Sequence, residues 1–277
     1  MIVMKFRIKI VLMKNNRLNI INELKEKLFD VYRWPHYELM FDHMDKIIQK
    51  INQEDKIAII ERCYIYNGYS IFSSLFEIGE LNIFDFIPPS SQNESRQNYQ
   101  FDKLNDLPET RKTIRKSLLS VNSDNLYNQI SLGEKFDYIF IPNVLHHYPN
   151  PFDLFKICFS ALKKGGFLYV FDATLRENHQ QPDDFMRFTT HGIINCLETS
   201  GFDISEISTS KSPVEALTYT IDQVIQYDLP DELIKEISNL NDIIKGKYKS
   251  TLTKNFNNKQ RKYTSFPVAY SVLAIKN

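Results

Sequence analysis

Short apolar runs punctuate the middle of this 277-residue chain: Lys56–Glu61 (K-I-A-I-I-E), Leu81–Phe86 (L-N-I-F-D-F), Phe136–Pro142 (F-D-Y-I-F-I-P) and Phe167–Asp172. They are nearly continuous in apolar character, as strands covered on both faces must be, and lack the alternation of a half-wet antiparallel strand. Segments with helical spacing separate them, notably Phe152–Leu162 and Thr190–Thr199, the latter stopping at Gly201 in the manner of a left-handed C-cap. Ser70–Ile78 accommodates another helix, Leu118–Val121 a further strand, and residues 88–112 read as loop or weak helix. Asp203–Ser208 and Val268–Lys276 alternate as strands. This βαβ rhythm predicts an α/β fold, a three-layer sandwich on a mostly parallel sheet.

Two regions lie outside the rhythm. Leu18, Ile21, Leu24, Leu28, Val31 and Tyr32 fall at helical spacing until Trp34-Pro35, because a residue before proline avoids the helical region. A second helical stripe runs through Leu39, Met40, Met44, Ile47, Ile48 and Ile51, with His43 upon it as a packed side chain. Met1–Met13 is apolar but broken by Lys5, Arg7 and Lys9, which is not a secretory core. It reads equally as an added strand or as an extension upstream of a start at Met13. Residues 1–54 are therefore expected to be an N-terminal extension and helical cap, and residues 55–277 the α/β domain. That domain carries an insertion over 212–262, with apolar residues at Leu217, Ile221, Val224, then Leu233, Ile234 and Ile237, and Pro230 between. An insertion between two adjacent strands projects from the sheet edge, as a lid, a dimer contact, or both.

Composition narrows the function classes. Eight glycines are roughly half of what an average chain of this length carries, which speaks against a P-loop or a full G-x-G-x-x-G fingerprint. Thirty-four basic and 34 acidic side chains leave no net charge, which argues against a dedicated nucleic-acid binder. Cys63, Cys158 and Cys196 match no metal or redox spacing, so packed, reduced thiols in a cytoplasmic protein are expected. No apolar run reaches membrane-span length, and no histidine pair has metal-ligand spacing.

Ligands of open α/β sheets bind outside the carboxyl ends of the strands, where strand order reverses. The residues placed there are Glu61, Asp85, Asp124, Asn143, His146 and His147. A carboxylate such as Asp85 can accept hydrogen bonds from both adjacent hydroxyls of a ribose. The segment F-D-Y-I-F-I-P-N-V-L-H-H-Y-P-N-P, followed by F-S-A-L-K-K-G-G-F-L-Y-V-F-D, resembles the second half of class I S-adenosylmethionine-dependent methyltransferases. R-F-T-T-H-G-I-I-N-C-L-E-T-S-G-F extends the likeness, which covers about residues 56–208 plus the final strand and is most specific over 136–202.

The resemblance implies a Rossmann-like, seven-stranded sheet, with the Gly165-Gly166 pair turning from helix into strand, and S-adenosylmethionine as cofactor. It assigns Asp85 to the cofactor ribose, Asp124 to the neighbourhood of the adenine, and Asn143 to the loop passing the methyl group. Glu61 opens what is the glycine loop in the family. That loop departs from the family: (D/E)-x-G-x-G-x-G is here E-R-C-Y-I-Y-N-G-Y-S. Either Asn67-Gly68 forms a rebuilt turn facing the cofactor, or the pocket is degenerate.

Methyl transfer is an in-line displacement, for which a protein supplies alignment, a dry cleft and, for a hydroxyl acceptor, a base. His147 and His191 are the candidate bases, while His146 reads as packing against the sheet. Trp34, Tyr37 and Arg187 are candidate substrate contacts, Arg187 toward a carboxylate or phosphate. The leading expectation is transfer to a small-molecule acceptor, a hydroxyl of a metabolite or sugar-type compound. The alternative is a catalytically inactive protein of the same fold that serves as a binding or assembly partner. An enzyme of another nucleotide, such as a dinucleotide oxidoreductase, is disfavoured by the same missing glycines.

Overall fold

The computed structural model describes residues 36–61, 80–86, 113–118, 136–178, 181–210, 213–248 and 266–277. Strands β1 (Lys56–Glu61), β2 (Glu80–Phe86), β3 (Thr113–Leu118), β4 (Phe136–Pro142), β5 (Leu162–Ala173), β6 (Asp203–Thr209) and β7 (Ala269–Ile275) form one sheet. Their order is β3-β2-β1-β4-β5-β7-β6. From β3 to β5 all pairs are parallel, whereas β7 runs antiparallel to both β5 and β6. The mostly parallel α/β expectation holds.

Helices α1 (His36–Ile48), α2 (Pro151–Ala161), α3 (Thr190–Thr199), α4 (Pro213–Val224) and α5 (Asp231–Ile243) complete the described elements. Successive strand residues point to opposite faces, and each face has its own core. Ile57 and Ile59 pack with Met40, Met44 and Ile47 of α1 and with Tyr219 of α4. Ala58 and Ile60 pack with Leu154 and Cys158 of α2 and with Ile193 and Leu197 of α3. Each such large side chain contributes about 1.5–3 kcal/mol by leaving water, so α1 is anchored by its apolar stripe. His43 interrupts that stripe as a satisfied core residue: its Nδ1 lies 2.7 Å from Ser271 Oγ, and Ser271 donates to Tyr169 OH at 2.9 Å.

Local signals explain the helix ends. Asn150 accepts from the Asp153 N–H and Pro151 occupies the first turn of α2. Thr189 caps α3 by accepting from the Gly192 N–H at 3.0 Å. Gly201, just past α3, has φ 99°, the left-handed stop expected there. Two strand expectations shift. The third strand lies at Thr113–Leu118 (T-I-R-K-S-L), ahead of the expected Leu118–Val121, of which residues 119–121 lie outside the described residues, and pairs with β2 at the sheet edge. An edge strand can carry charge, so its apolar signal is weak. Gly165 and Gly166 lie within β5 rather than before it. Pairing with β4 begins at Leu162, breaks, and resumes at Phe167, with Gly165 at φ 78° in the irregularity. The helices expected over residues 18–32 and 70–78 lie outside the described residues.

Topology sets the site. The chain builds β1, β2 and β3 outward to one edge, then returns to add β4 on the other side of β1. The carboxyl ends of β1 and β4 therefore flank the topological switch point, where open α/β sheets take up ligands in a crevice.

Candidate functional site

Glu61 ends β1 and is buried, 4% exposed. Asp85 stands beside it in β2, at the paired register position. Across the switch point, β4 delivers Asn143, held at φ 55°. Asparagine tolerates this left-handed geometry better than most residues, and the conformation is secured twice. The Asn143 N–H donates to Phe171 O at 2.8 Å, and its Nδ2 donates to Tyr37 OH at 3.0 Å. Tyr37 thus joins the first turn of α1 to the exit of β4, with its ring tilted against Phe171.

Next in the chain, His146 meets Asp172 at the end of β5, both essentially removed from solvent. Asp172 Oδ1 lies 2.7 Å from His146 Nδ1, while Oδ2 accepts the His146 backbone N–H at 2.8 Å and Oδ1 the Ala173 N–H at 2.7 Å. Burial pushes the Asp172 carboxyl above its usual value, against the pull of those two N–H groups. On the other side of the ring, Arg176 Nη1 is 3.5 Å from Nε2. A guanidinium can only donate, so Nε2 carries the lone pair and Nδ1 the proton. The arrangement is a carboxylate-oriented imidazole with a basic nitrogen.

The strand-five exit builds the rest of the wall. Arg176 is buried, and burial lowers its pKa; its Nε is 3.7 Å from Glu177 Oε1. Tyr219 of α4 donates to Glu177 Oε2 at 2.6 Å. His36, at the start of α1, lies 2.9 Å through Nε2 from Leu175 O and stacks edge-on against Tyr219, ring centroids 4.6 Å apart. Cap, strand exit and insertion meet at this one polar seam.

The sequence candidates distribute unevenly over the site. Glu61, Asp85 and Asn143 stand at or just past the carboxyl ends of β1, β2 and β4, and Tyr37 is bonded to Asn143. His147 is buried, its Nδ1 bonded to the Asp183 carbonyl. His191 is exposed in the first turn of α3. Arg187 is engaged by its own loop: Nη1 and Nη2 bond Asp184 at 2.5 and 2.7 Å, and Nη2 bonds Glu177 O at 3.2 Å. Its burial works to lower its pKa, but the Asp184 carboxylate outweighs that and holds it up. Trp34, Asn67, Gly68 and Asp124 lie outside the described residues. The strand-end rule that selected Glu61 and Asp85 selects Asp172 as well once extended to the fifth strand. Arg176, Glu177 and Tyr219 carry no comparable signal. Among the described residues no cluster of His, Cys, Asp or Glu is set to hold a metal, and no helix is long and apolar enough to cross a membrane.

Fold and site together define an open α/β protein with polar side chains at its topological switch point. No family model matches the chain, and no curated protein does. Among solved structures, it is similar to the cyclase SpnF, at 13% identity over 85% of this chain and 80% of that one, TM-score 0.48. It is similar to a SAM-dependent methyltransferase from Archaeoglobus fulgidus, at 12% identity over 90% and 98%, TM-score 0.46. A third is the O-methyltransferase of a trans-AT PKS multienzyme from Brevibacillus brevis, in complex with S-adenosyl-L-homocysteine, at 17% identity over 90% and 78%, TM-score 0.45. At these values the likeness decides no activity.

Proposed function

We propose that this chain is an S-adenosylmethionine-dependent methyltransferase of the Rossmann-like, three-layer type, acting on a hydroxyl of a small metabolite or sugar-type compound. The observation that carries the reading is the alignment of Glu61 and Asp85 at the carboxyl ends of adjacent parallel strands, with Asn143 across the switch point. The donor set fits the cofactor: strand-end carboxylates suit vicinal hydroxyls, and the loop after β4 reaches the crevice from the opposite side. S-adenosylmethionine, when bound, supplies an activated methyl group. Asp85 and Glu61 hold its polar end, and Tyr37 fixes Asn143 in the loop beside the acceptor.

His146 is the base in this reading. Once the acceptor hydroxyl displaces the Arg176 N–H from it, its Nε2 would take the hydroxyl proton, and Asp172 would steady the imidazolium that results. His147 has a carbonyl instead of a carboxylate on Nδ1, and a carbonyl stabilises the charged ring less. His191 is exposed on α3. The neutral charge balance supports small-molecule partners over nucleic acid in this reading.

Calorimetric titration with S-adenosylmethionine and S-adenosylhomocysteine tests the reading. Binding of either at micromolar concentration is expected. Absence of both at high micromolar concentration overturns it and leaves the non-catalytic alternative.

A further inference from the structure

We propose that Arg176 is a positioning residue that keeps the His146 ring uncharged, and so able to take a proton, until an acceptor reaches it. The proposal rests on the reading of His146 as the base. Asp172 by itself pulls the other way. Its carboxylate lies 2.7 Å from Nδ1, and a carboxylate at hydrogen-bond distance favours the charged ring. The backbone N–H groups of His146 and Ala173 favour the ionised form of that carboxyl, against its burial. A ring charged in advance has two N–H groups and no lone pair, and cannot serve as a base.

Arg176 supplies the opposing charge. Its Nη1 lies 3.5 Å from Nε2, which is long for a hydrogen bond, so it acts on the ring chiefly as a charge. Its side chain is only 4% exposed, and salt and water screen a buried pair little. A protonated Nε2 would also turn its N–H toward a guanidinium that can only donate. The guanidinium is tethered in turn: Nε lies 3.7 Å from Glu177 Oε1, and Glu177 Oε2 accepts from Tyr219 OH at 2.6 Å. Of the other titratable groups around the ring, Arg187 is paired with Asp184 and burial keeps His36 neutral. His147, its ring centroid 3.9 Å from that of His146, bonds the carbonyl of buried Asp183. An arriving hydroxyl displaces the Arg176 N–H toward Glu177, which withdraws the like charge from the ring as the proton has to be taken.

Side-chain nitrogen NMR spectra of the histidines, recorded on the full chain at neutral pH without cofactor, test the proposal. The nitrogen shifts distinguish a neutral ring with its proton on Nδ1 from an imidazolium. His146 is expected to be neutral in the natural chain. R176M is expected to raise its ratio of charged to neutral ring by about tenfold or more, the scale of a like charge removed from a poorly screened site. R176Q keeps a donor and loses the charge; it is expected to match R176M, and it gives the same reading where the apolar variant does not fold. R176K is expected to leave the ring neutral, and exposed His191 to keep its signal in every variant. An imidazolium in the natural chain, a ring unchanged in R176M and R176Q, or an R176K ring as charged as theirs overturns the proposal. These spectra need neither cofactor nor turnover, so their failure is distinct from an absence of cofactor binding, which overturns the methyl-transfer reading instead.

Discussion

The Asp172 carboxylate binds His146 twice, taking the ring Nδ1–H at 2.7 Å and the backbone N–H at 2.8 Å. One side chain at the end of β5 therefore fixes both the tilt of the imidazole and the path of the turn after β4. The Phe185 N–H adds a third tie, donating to His146 O at 2.9 Å. In so dry a place the geometry is strongly coupled, because neither partner can be satisfied by water.

Asp172→Asn tests that coupling. The amide presents one oxygen and one NH2 where the carboxylate accepted two backbone N–H groups on separate oxygens, so one backbone donor loses its acceptor. A loss of about 1–3 kcal/mol is expected in urea unfolding, the cost of a stranded buried donor. Methyl transfer is expected to fall by about a hundredfold or more, the range of general-base removal, with cofactor affinity unchanged. Equal loss of affinity and rate would mean that Asp172 supports the crevice as a whole instead of the base.

Asp85 makes a separate prediction at the other end of the crevice. If its carboxylate holds the cofactor hydroxyls, Asp85→Ala weakens binding by about 1.5 kcal/mol or more, the scale of charge-assisted hydrogen bonds. Calorimetry on the variant reads this directly. Unchanged affinity removes Asp85 from the ribose and leaves Glu61 as the strand-end acid to examine.

The stretch from β4 to α3 is legible in the sequence because periodicity and end signals agree there. F-D-Y-I-F-I-P is apolar throughout, Asn150 and Thr189 cap the two helices, and Gly201 stops the second. Strand β3 is displaced from its expected place because its arginine and lysine hide an edge strand from an apolar search. The pairing of His146 with Asp172 spans 26 residues and exists only because β4 and β5 run parallel with matched ends. Both residues stand out as strand-end groups, but their side-by-side contact is a property of the sheet. Tyr219 and Glu177, 42 residues apart, depend on how the insertion folds back, which no local pattern encodes. Arg187 is the opposite case: D-D-F-M-R already contains its partner three residues earlier, and local pairing is the simpler use of that guanidinium.

Acid stability should report on His36. Burial pushes its pKa from 6.5 down to about 4, and neighbouring Arg176 and Arg187 work in the same direction while the Leu175 carbonyl and Asp172 oppose it. The unfolded chain therefore takes up a proton first as pH falls. The stability contributed by neutral His36 is complete above about 6.5 and is lost between about 6.5 and about 4. At about 1.36 kcal/mol per pKa unit, the loss is on the order of 3 kcal/mol. His43 is lowered too, by burial, and adds to the slope. Urea midpoints measured across this window should fall more steeply for the natural chain than for His36→Gln. Parallel curves would show that His36 is not buried as a neutral ring.

Tyr219→Phe probes the seam where the insertion meets the strand-five exit. The hydroxyl donates to Glu177 Oε2 at 2.6 Å, and burial together with that carboxylate holds its pKa well above the usual value, so it remains a donor at any working pH. The variant keeps the ring, and with it the edge-on contact to His36 and the packing of α4 on the sheet. What it removes is one bond to a charged acceptor, worth about 1.5–3 kcal/mol. Glu177 is half-buried and can turn toward solvent, so a loss nearer the lower figure is expected in global unfolding. The local effect should be larger in proportion, because α5, in which Asn241 alone is buried, opens at lower cost than the core strands. Limited proteolysis should therefore cut residues 213–248 faster in the variant while the β4–α3 segment keeps its protection. If cleavage accelerates equally in both regions, the hydroxyl contributes to the whole fold and does not act as a local latch.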